Sequence, residues 1–371
     1  MIRERERKQW KPGLWVFVAL LLILAACNTN KPSVPQSQQR YRVVFLYLDE
    51  PETLGWVHEH DRARQFVEEQ LGDEVETAYV VSAGNHTQMA RVIRRYAQEG
   101  YDMIFATSSE YMDAMYEVAQ EFPNIKFEHC SGTKTHDNMA TYSGRMYQSC
   151  YLSGIVAGKM TQNNFVGYVA SDPRPEVIQE LNAFTLGARS VNPSVEVRVI
   201  WTGVWNDPEA ERESAAMLLD QGADIIAQHQ DSTEPQKVSQ EHGALSIGYN
   251  SNMRTFVGDT VLTSPIWNWG PYYATTIQSA IDGKWSSHQY WGGLKEGVVT
   301  LSEYSPKVPQ DVRDLVKTAF DDILGGRDVF CGPIRDQNGY EIVAAGTCMN
   351  DADLVAMKFL VEGVIGSLPE E

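Results

Sequence analysis

The chain has 371 residues, 43% hydrophobic and 22% charged, which is globular composition with length enough for two domains. A formal charge of −18 excludes a surface built for DNA or RNA, because phosphate binding needs a basic patch. With 9 tryptophans, several belong in cores and enough remain to line a pocket.

The first residues read as an export signal. MIRERERKQWK is net basic, and an apolar run of 13 residues, Leu14 to Ala26, follows it. That is short for a membrane span of about 20 residues and typical of a signal peptide. The run closes on Leu24-Ala25-Ala26-Cys27. Small residues permit cleavage and the Cys27 thiol can take a lipid, so residues 1–26 read as a lipoprotein signal. An ordinary signal peptide with an incidental cysteine is the competing reading. Its removal takes away five basic and two acidic residues and leaves the mature chain more negative still. Residues 27–40 read as a polar tether.

The body alternates strands and helices. Strands are expected at 41–48, 75–81, 103–108 and 126–131, with helices at 57–70, 86–99 and 110–121 between them. A second run follows a helix at 148–160. It has strands at 165–171, 195–201, 224–228 and 245–250, and helices at 175–189, 207–220 and 235–242. Two doubly wound parallel-sheet lobes are the natural architecture. VLTSP, a helix at 271–282 and the strands YWGGL and GVVTLSEY take the chain back to the first lobe and across once more. A helix at 309–324, a hairpin turning on Asn338-Gly339 and a helix from Asp351 complete the second lobe. The expected lobes are 41–144 with 266–296, and 145–265 with 297–371. Cys331 and Cys348 stand at the open end of the hairpin and are disulfide candidates in an oxidising compartment. Cys130 and Cys150 read as a second pair or as buried thiols.

Ligands of open parallel sheets bind beyond the carboxyl ends of the strands. Trp56, Ser108, Glu128, His129, Trp205, Asp231, Asn250 and Trp267 all fall there, and so many on one side make a pocket. His58 and His60 do not make a metal pair, since two residues apart on a helix they diverge. GIVAGKMT has one residue too few between its glycines for a phosphate loop, and Met160 where a hydroxyl is needed. No GxSxG, HExxH or CxxC is present, and nothing demands catalysis, a metal or a cofactor.

The lipoprotein signal, the two-lobe rhythm, GW before the first helix, VAQEFPNIKFEH, GYVAS, WNDPEAE, LSIGYNSNM and GPIRDQNGY occur in an order that resembles the basic membrane protein family. These are solute-binding lipoproteins of ABC importers, similar to purine-nucleoside receptors. The resemblance covers about 41–366 and implies a type I periplasmic-binding fold with a three-crossing hinge. It implies an extracytoplasmic, lipid-anchored receptor that hands its ligand to an ABC permease. In the nucleoside receptors two aromatic side chains from opposite lobes clamp the base; here they match Trp56 and Trp205. Stacking a base on an aromatic face is worth roughly 1–3 kcal/mol. Glu128 or His129, Asp231, Asn250 and, more weakly, Ser108 are the candidates for the base edge. The family's ribose-binding aspartate and lysine match Asn250 and Trp267, which implies a free, adenine-like nucleobase. A purine nucleoside or another flat heterocycle, a sensory lipoprotein of the same fold, and a nucleoside-hydrolase-like enzyme are the alternatives.

Overall fold

The computed structural model describes residues 40–52 and 54–369; the signal segment and Cys27 lie outside them. Val43, Val44, Phe45, Leu46 and Tyr47 are all fully buried. A strand apolar on both faces belongs inside a sheet covered on both sides. Tyr41–Tyr47 accordingly lies between Val75–Val81 and Met103–Ala106. Lys126–Cys130, Met139–Gly144 and Gln289–Gly292 continue the sheet to six parallel strands. The helices Trp56–Leu71 and Gly270–Ile281 cover the face carrying Phe45 and Phe105. The helices His86–Gln98 and Met112–Glu121 cover the face carrying Val44, Leu46 and Ile104.

A second parallel sheet has the order Val364–Ile365, Glu196–Trp201, Phe165–Ala170, Ile225–His229 and Leu245–Ser246. Two of its helices, Met146–Met160 and Pro175–Val191, cross with their backbones in contact. A Cβ on Gly154 would stand 2.0 Å from the Phe184 carbonyl oxygen, and one on Gly187 2.0 Å from that of Tyr151. This close crossing, rather than a phosphate, is what the GIVAGKMT glycines serve.

The chain passes between the sheets three times: after Gly144, through Pro265–Trp267, whose approach at Val261 is still bridged to Ser246, and after Gly292. Pro265–Trp267 and Val299–Leu301, on the last two passages, pair as a short antiparallel ribbon. Cys331 and Cys348 are bonded across the base of the hairpin, with Cα atoms 4.0 Å apart, while Cys130 and Cys150 are buried free thiols. No helix among the described residues is long and apolar enough to cross a membrane.

Several elements differ from the sequence expectation, among them the unannounced edge strand Val364–Ile365 and two nearer the site. Met139–Gly144 is a strand that no apolar run announced; its threonine pairs with His129 on one side, and its serine and glycine with Trp291 and Gly292 on the other. The strand expected at 245–250 stops at Ser246, and the turn that follows ends with Asn250 at φ 59°, outside the extended region.

Candidate functional site

The Trp56–Leu71 helix starts where the two halves of the molecule meet. The first N–H groups of a helix have no acceptor within it. Here they cross to the other half. The Gly55 N–H donates to Ser251 Oγ at 3.1 Å, and the Trp56 N–H donates to Asp231 Oδ1 at 3.0 Å. Gly55 has φ 92°, and a Cβ on it would come within 3.2 Å of Asp231 Oδ1, so this position needs glycine. One turn on, Glu59 accepts from the Ser251 hydroxyl and pairs with Arg62 at 2.6 Å.

Asp231 Oδ1 also accepts from Asn250 Nδ2, and Asn250 Oδ1 accepts from the Trp267 indole N–H at 2.8 Å. Burial raises the Asp231 carboxyl above its usual range, while the Trp56 N–H and the Asn250 amide oppose the rise. The helix N-terminus adds a positive dipole end beside it. Among the described residues, Asp231 Oδ2 carries no hydrogen bond.

The ring of Trp267 stands edge-on to Trp56, with centroids 5.3 Å apart and planes at 90°, and lies stacked on Trp269 at 4.9 Å. Gly144 makes room for it: a Cβ there would fall 2.2 Å from the indole. Trp56 is fixed from behind by its indole N–H, which donates to the Thr107 carbonyl at 2.8 Å. His60 meets the Trp56 ring edge-on at 4.5 Å and stacks on Trp269. Burial pushes the His60 imidazole down to about 3, so it is a neutral ring in an aromatic cluster.

Trp205 is half-buried on the other side. The Arg174 guanidinium lies 5.2 Å from its ring centroid and His229 5.5 Å away. Its carbonyl accepts from the Asp231 N–H at 3.4 Å, which ties the Trp205 loop to the carboxylate.

Trp56, Asp231, Asn250 and Trp267 therefore form one bonded group, with Trp205 attached through Asp231. Glu128 does not join it. It alternates to the face shared with Phe105, beneath the Gly270–Ile281 helix. There Tyr272 and Trp285 donate to its two oxygens at 2.9 and 2.7 Å. Both oxygens are bonded inside one half, so Glu128 stands apart from the Trp56 group. Ser108 and His129 are also engaged locally. The Ser108 hydroxyl accepts from the Glu110 N–H at 3.4 Å, and its carbonyl meets His129 Nε2 at 2.9 Å. Among the described residues, neither hydrogen-bonds to the Trp56 group. Sequence reasoning missed Glu59, Ser251, Trp269 and His60 as members. His60 stands four residues after Trp56, one helical turn, which was the available signal. No group of metal-ligating side chains occurs among the described residues.

A sequence profile described as ABC transporter substrate-binding protein PnrA-like, family Bmp, matches residues 41–324. The chain is similar to a purine-binding protein of Brucella abortus, 41% identical over 335 residues that cover 90% of this chain and 95% of that protein. It is 39% identical over 343 residues to a Haloferax volcanii protein provisionally named an ABC transporter glucose-binding protein, covering 92% of this chain and 85% of that one. Among solved structures it resembles a solute-binding protein of an ABC transporter system from Conexibacter woesei. The TM-score is 0.68 and the identity 20%, over 77% of this chain and 96% of that one, a likeness of fold. The fold is the type I periplasmic-binding arrangement.

Proposed function

The chain belongs to the Bmp family, the PnrA-like substrate-binding proteins of ABC transporters, and from that premise we propose that it is a receptor for a purine nucleobase. The observation that carries this reading is the Trp56–Asp231–Asn250–Trp267 group, assembled from both halves at the carboxyl ends of the strands. Trp56 and Trp205 supply flat apolar faces for a base. Asp231 Oδ2 supplies an acceptor for a ring N–H or an exocyclic amine. Trp267 spends its N–H on Asn250 and its face on Trp269, so its bulk stands where a ribose would. The purine named for the Brucella relative supports the same ligand class.

The mechanism is closure about the hinge. Residues 41–144 with 266–296 move as one body and 145–265 with 297–371 as the other. The bonds from Gly55 and Trp56 to Ser251 and Asp231 form when the halves meet, and the base adds contacts to both sides of that state. It shifts the population toward the closed form, which the permease recognises. Residues 1–26 are the export signal, and the lipid on Cys27 holds residues 27–40 as a tether at the outer face of the membrane. A C27S variant that partitions into the aqueous rather than the detergent phase supports the anchor; unchanged partition contradicts it.

The ligand is tested by denaturing the detergent-purified chain, identifying released small molecules by mass spectrometry, and titrating the refolded protein with adenine, adenosine and glucose in a calorimeter. The expected result is a released purine base and tight binding of adenine alone. A preference for adenosine contradicts the reading of Trp267, and a preference for glucose contradicts the purine assignment.

A further inference from the structure

Behind Trp205 lies a buried polar cluster that the binding reading leaves unused. Glu180, on the Pro175–Val191 helix, places Oε2 3.3 Å from His229 Nε2, and the Tyr249 hydroxyl lies 3.0 Å from the same nitrogen. His229 Nδ1 meets Ser171 Oγ at 3.2 Å. Cys150 Sγ lies 3.7 Å from Glu180 Oε2. The cluster touches the candidate site at two points. The imidazole lies against the Trp205 ring, and Tyr249 is the residue before Asn250.

We propose that the Glu180 carboxylic acid is a positioning residue for the ligand site, holding His229 beneath Trp205 and Tyr249 beside Asn250, and that its ionisation loosens ligand binding. The proposal rests on the purine reading for its ligand and on the cluster geometry for its mechanism.

The bond pattern explains why the acid must keep its proton. His229 is neutral, since burial pushes it down to about 4. In the tautomer with Nδ1–H directed at Ser171, the one lone pair on Nε2 takes the proton of the Glu180 acid, and the Tyr249 hydroxyl donates to Glu180. The groups facing Glu180 are Cys150 from the Met146–Met160 helix, Tyr168 from the Phe165–Ala170 strand, His229, Tyr249, and Glu176 on its own helix. None of them is a cation at neutral pH. Burial, with a smaller push from Glu176, raises the Glu180 carboxyl to about 8 against the pull of Tyr249 and Cys150. Above that pH a carboxylate confronts the Nε2 lone pair. The imidazole must then take the other tautomer, so that Nε2–H donates to the carboxylate and the Ser171 hydroxyl reverses to donate to Nδ1. That rearrangement disturbs the ring against Trp205 and, through the Tyr249 hydroxyl beside it, the residue before Asn250.

The test titrates the full chain, in detergent and emptied of ligand, with adenine from about pH 6.5 to about pH 9. Wild type is expected to lose at least about fivefold in affinity across that range, while E180Q, a permanent uncharged donor, holds its own affinity flat within about twofold. Equal pH dependence in the two proteins overturns the proposal. Tryptophan emission of the unliganded chain gives a second readout: a step near pH 8 in wild type that is absent from both E180Q and W205F. No step, or a step that survives in E180Q, also overturns it. Adenine that binds at no pH overturns the purine reading, and the emission step then still decides the role of Glu180.

Discussion

The two halves of the molecule bring different chemistry to the place where they meet. The six-stranded half brings rings: Trp56, His60 and Trp269 pack edge-on and stacked, with Trp267 joining from the passage between the sheets. The five-stranded half brings hydrogen-bonding groups: Asp231, and behind it His229, Tyr249 and Glu180. Rings fix a plane and exclude water, and they accept any flat ligand. Buried donors and acceptors discriminate, because one left unpaired costs about 1–3 kcal/mol. On the proposed reading, the five-stranded half adds one ring of its own, Trp205, so stacking is shared between the halves while recognition of the edge falls to the five-stranded side. The two buried glutamates mark the same contrast. Glu128 is held by two neutral donors inside the six-stranded half, whereas Glu180 shares its oxygen with the imidazole that supports Trp205.

The largest effect is expected from D231A. It removes the acceptor used by the Trp56 N–H and the Asn250 amide, and with it the contact proposed for the base edge. Adenine affinity should fall about 100-fold, in line with hydrogen bonds to a charged group. W56A should follow with roughly a 10-fold loss, measured in the same titration, since one stacking face goes while the edge contacts stay. If W56A were the worse of the two, the division between rings and edge readers would be reversed.

A third prediction concerns stability. The folded Glu180 carboxyl sits at about 8 against an ordinary 4.5. A raised carboxyl stabilises below the unfolded value, and that contribution is lost as pH rises through the folded one. Wild type should therefore lose stability progressively from about pH 4.5 to about pH 8 relative to E180Q, and no further above that. Melting temperatures of the two proteins across this range check it; parallel curves would contradict it. The smallest effect on binding is expected from E128Q. It should alter the melting temperature while adenine affinity stays within about twofold, since its partners Tyr272 and Trp285 lie inside one half. A large affinity loss would mean that the six-stranded half also reads the edge.

Much of this contrast was legible in the sequence, in an uneven way. The alternation of apolar runs gave both sheets, because strands buried on two faces read as continuous apolar stretches. Met139–Gly144 escaped because it lacks a continuous aliphatic run, and its strand character comes from its neighbours in the sheet. The rule of strand ends picked out Asp231, Asn250 and Trp267, which the structure bonds together, and also Glu128, which it holds apart: a place at a strand end says nothing of the face taken, and register decides that. Glu180 left no sequence signal. Its helix is buried on nearly every side between Met146–Met160 and the sheet, so a glutamate that reads as surface lies wholly inside.

The measurement that bears most directly on the account is a crystal structure of the protein grown with adenine. The account predicts the base lying between the Trp56 and Trp205 rings, with a donor of its edge within hydrogen-bond distance of Asp231 Oδ2. Adenine bound elsewhere, or seated in the cleft with neither indole against its face, would contradict it.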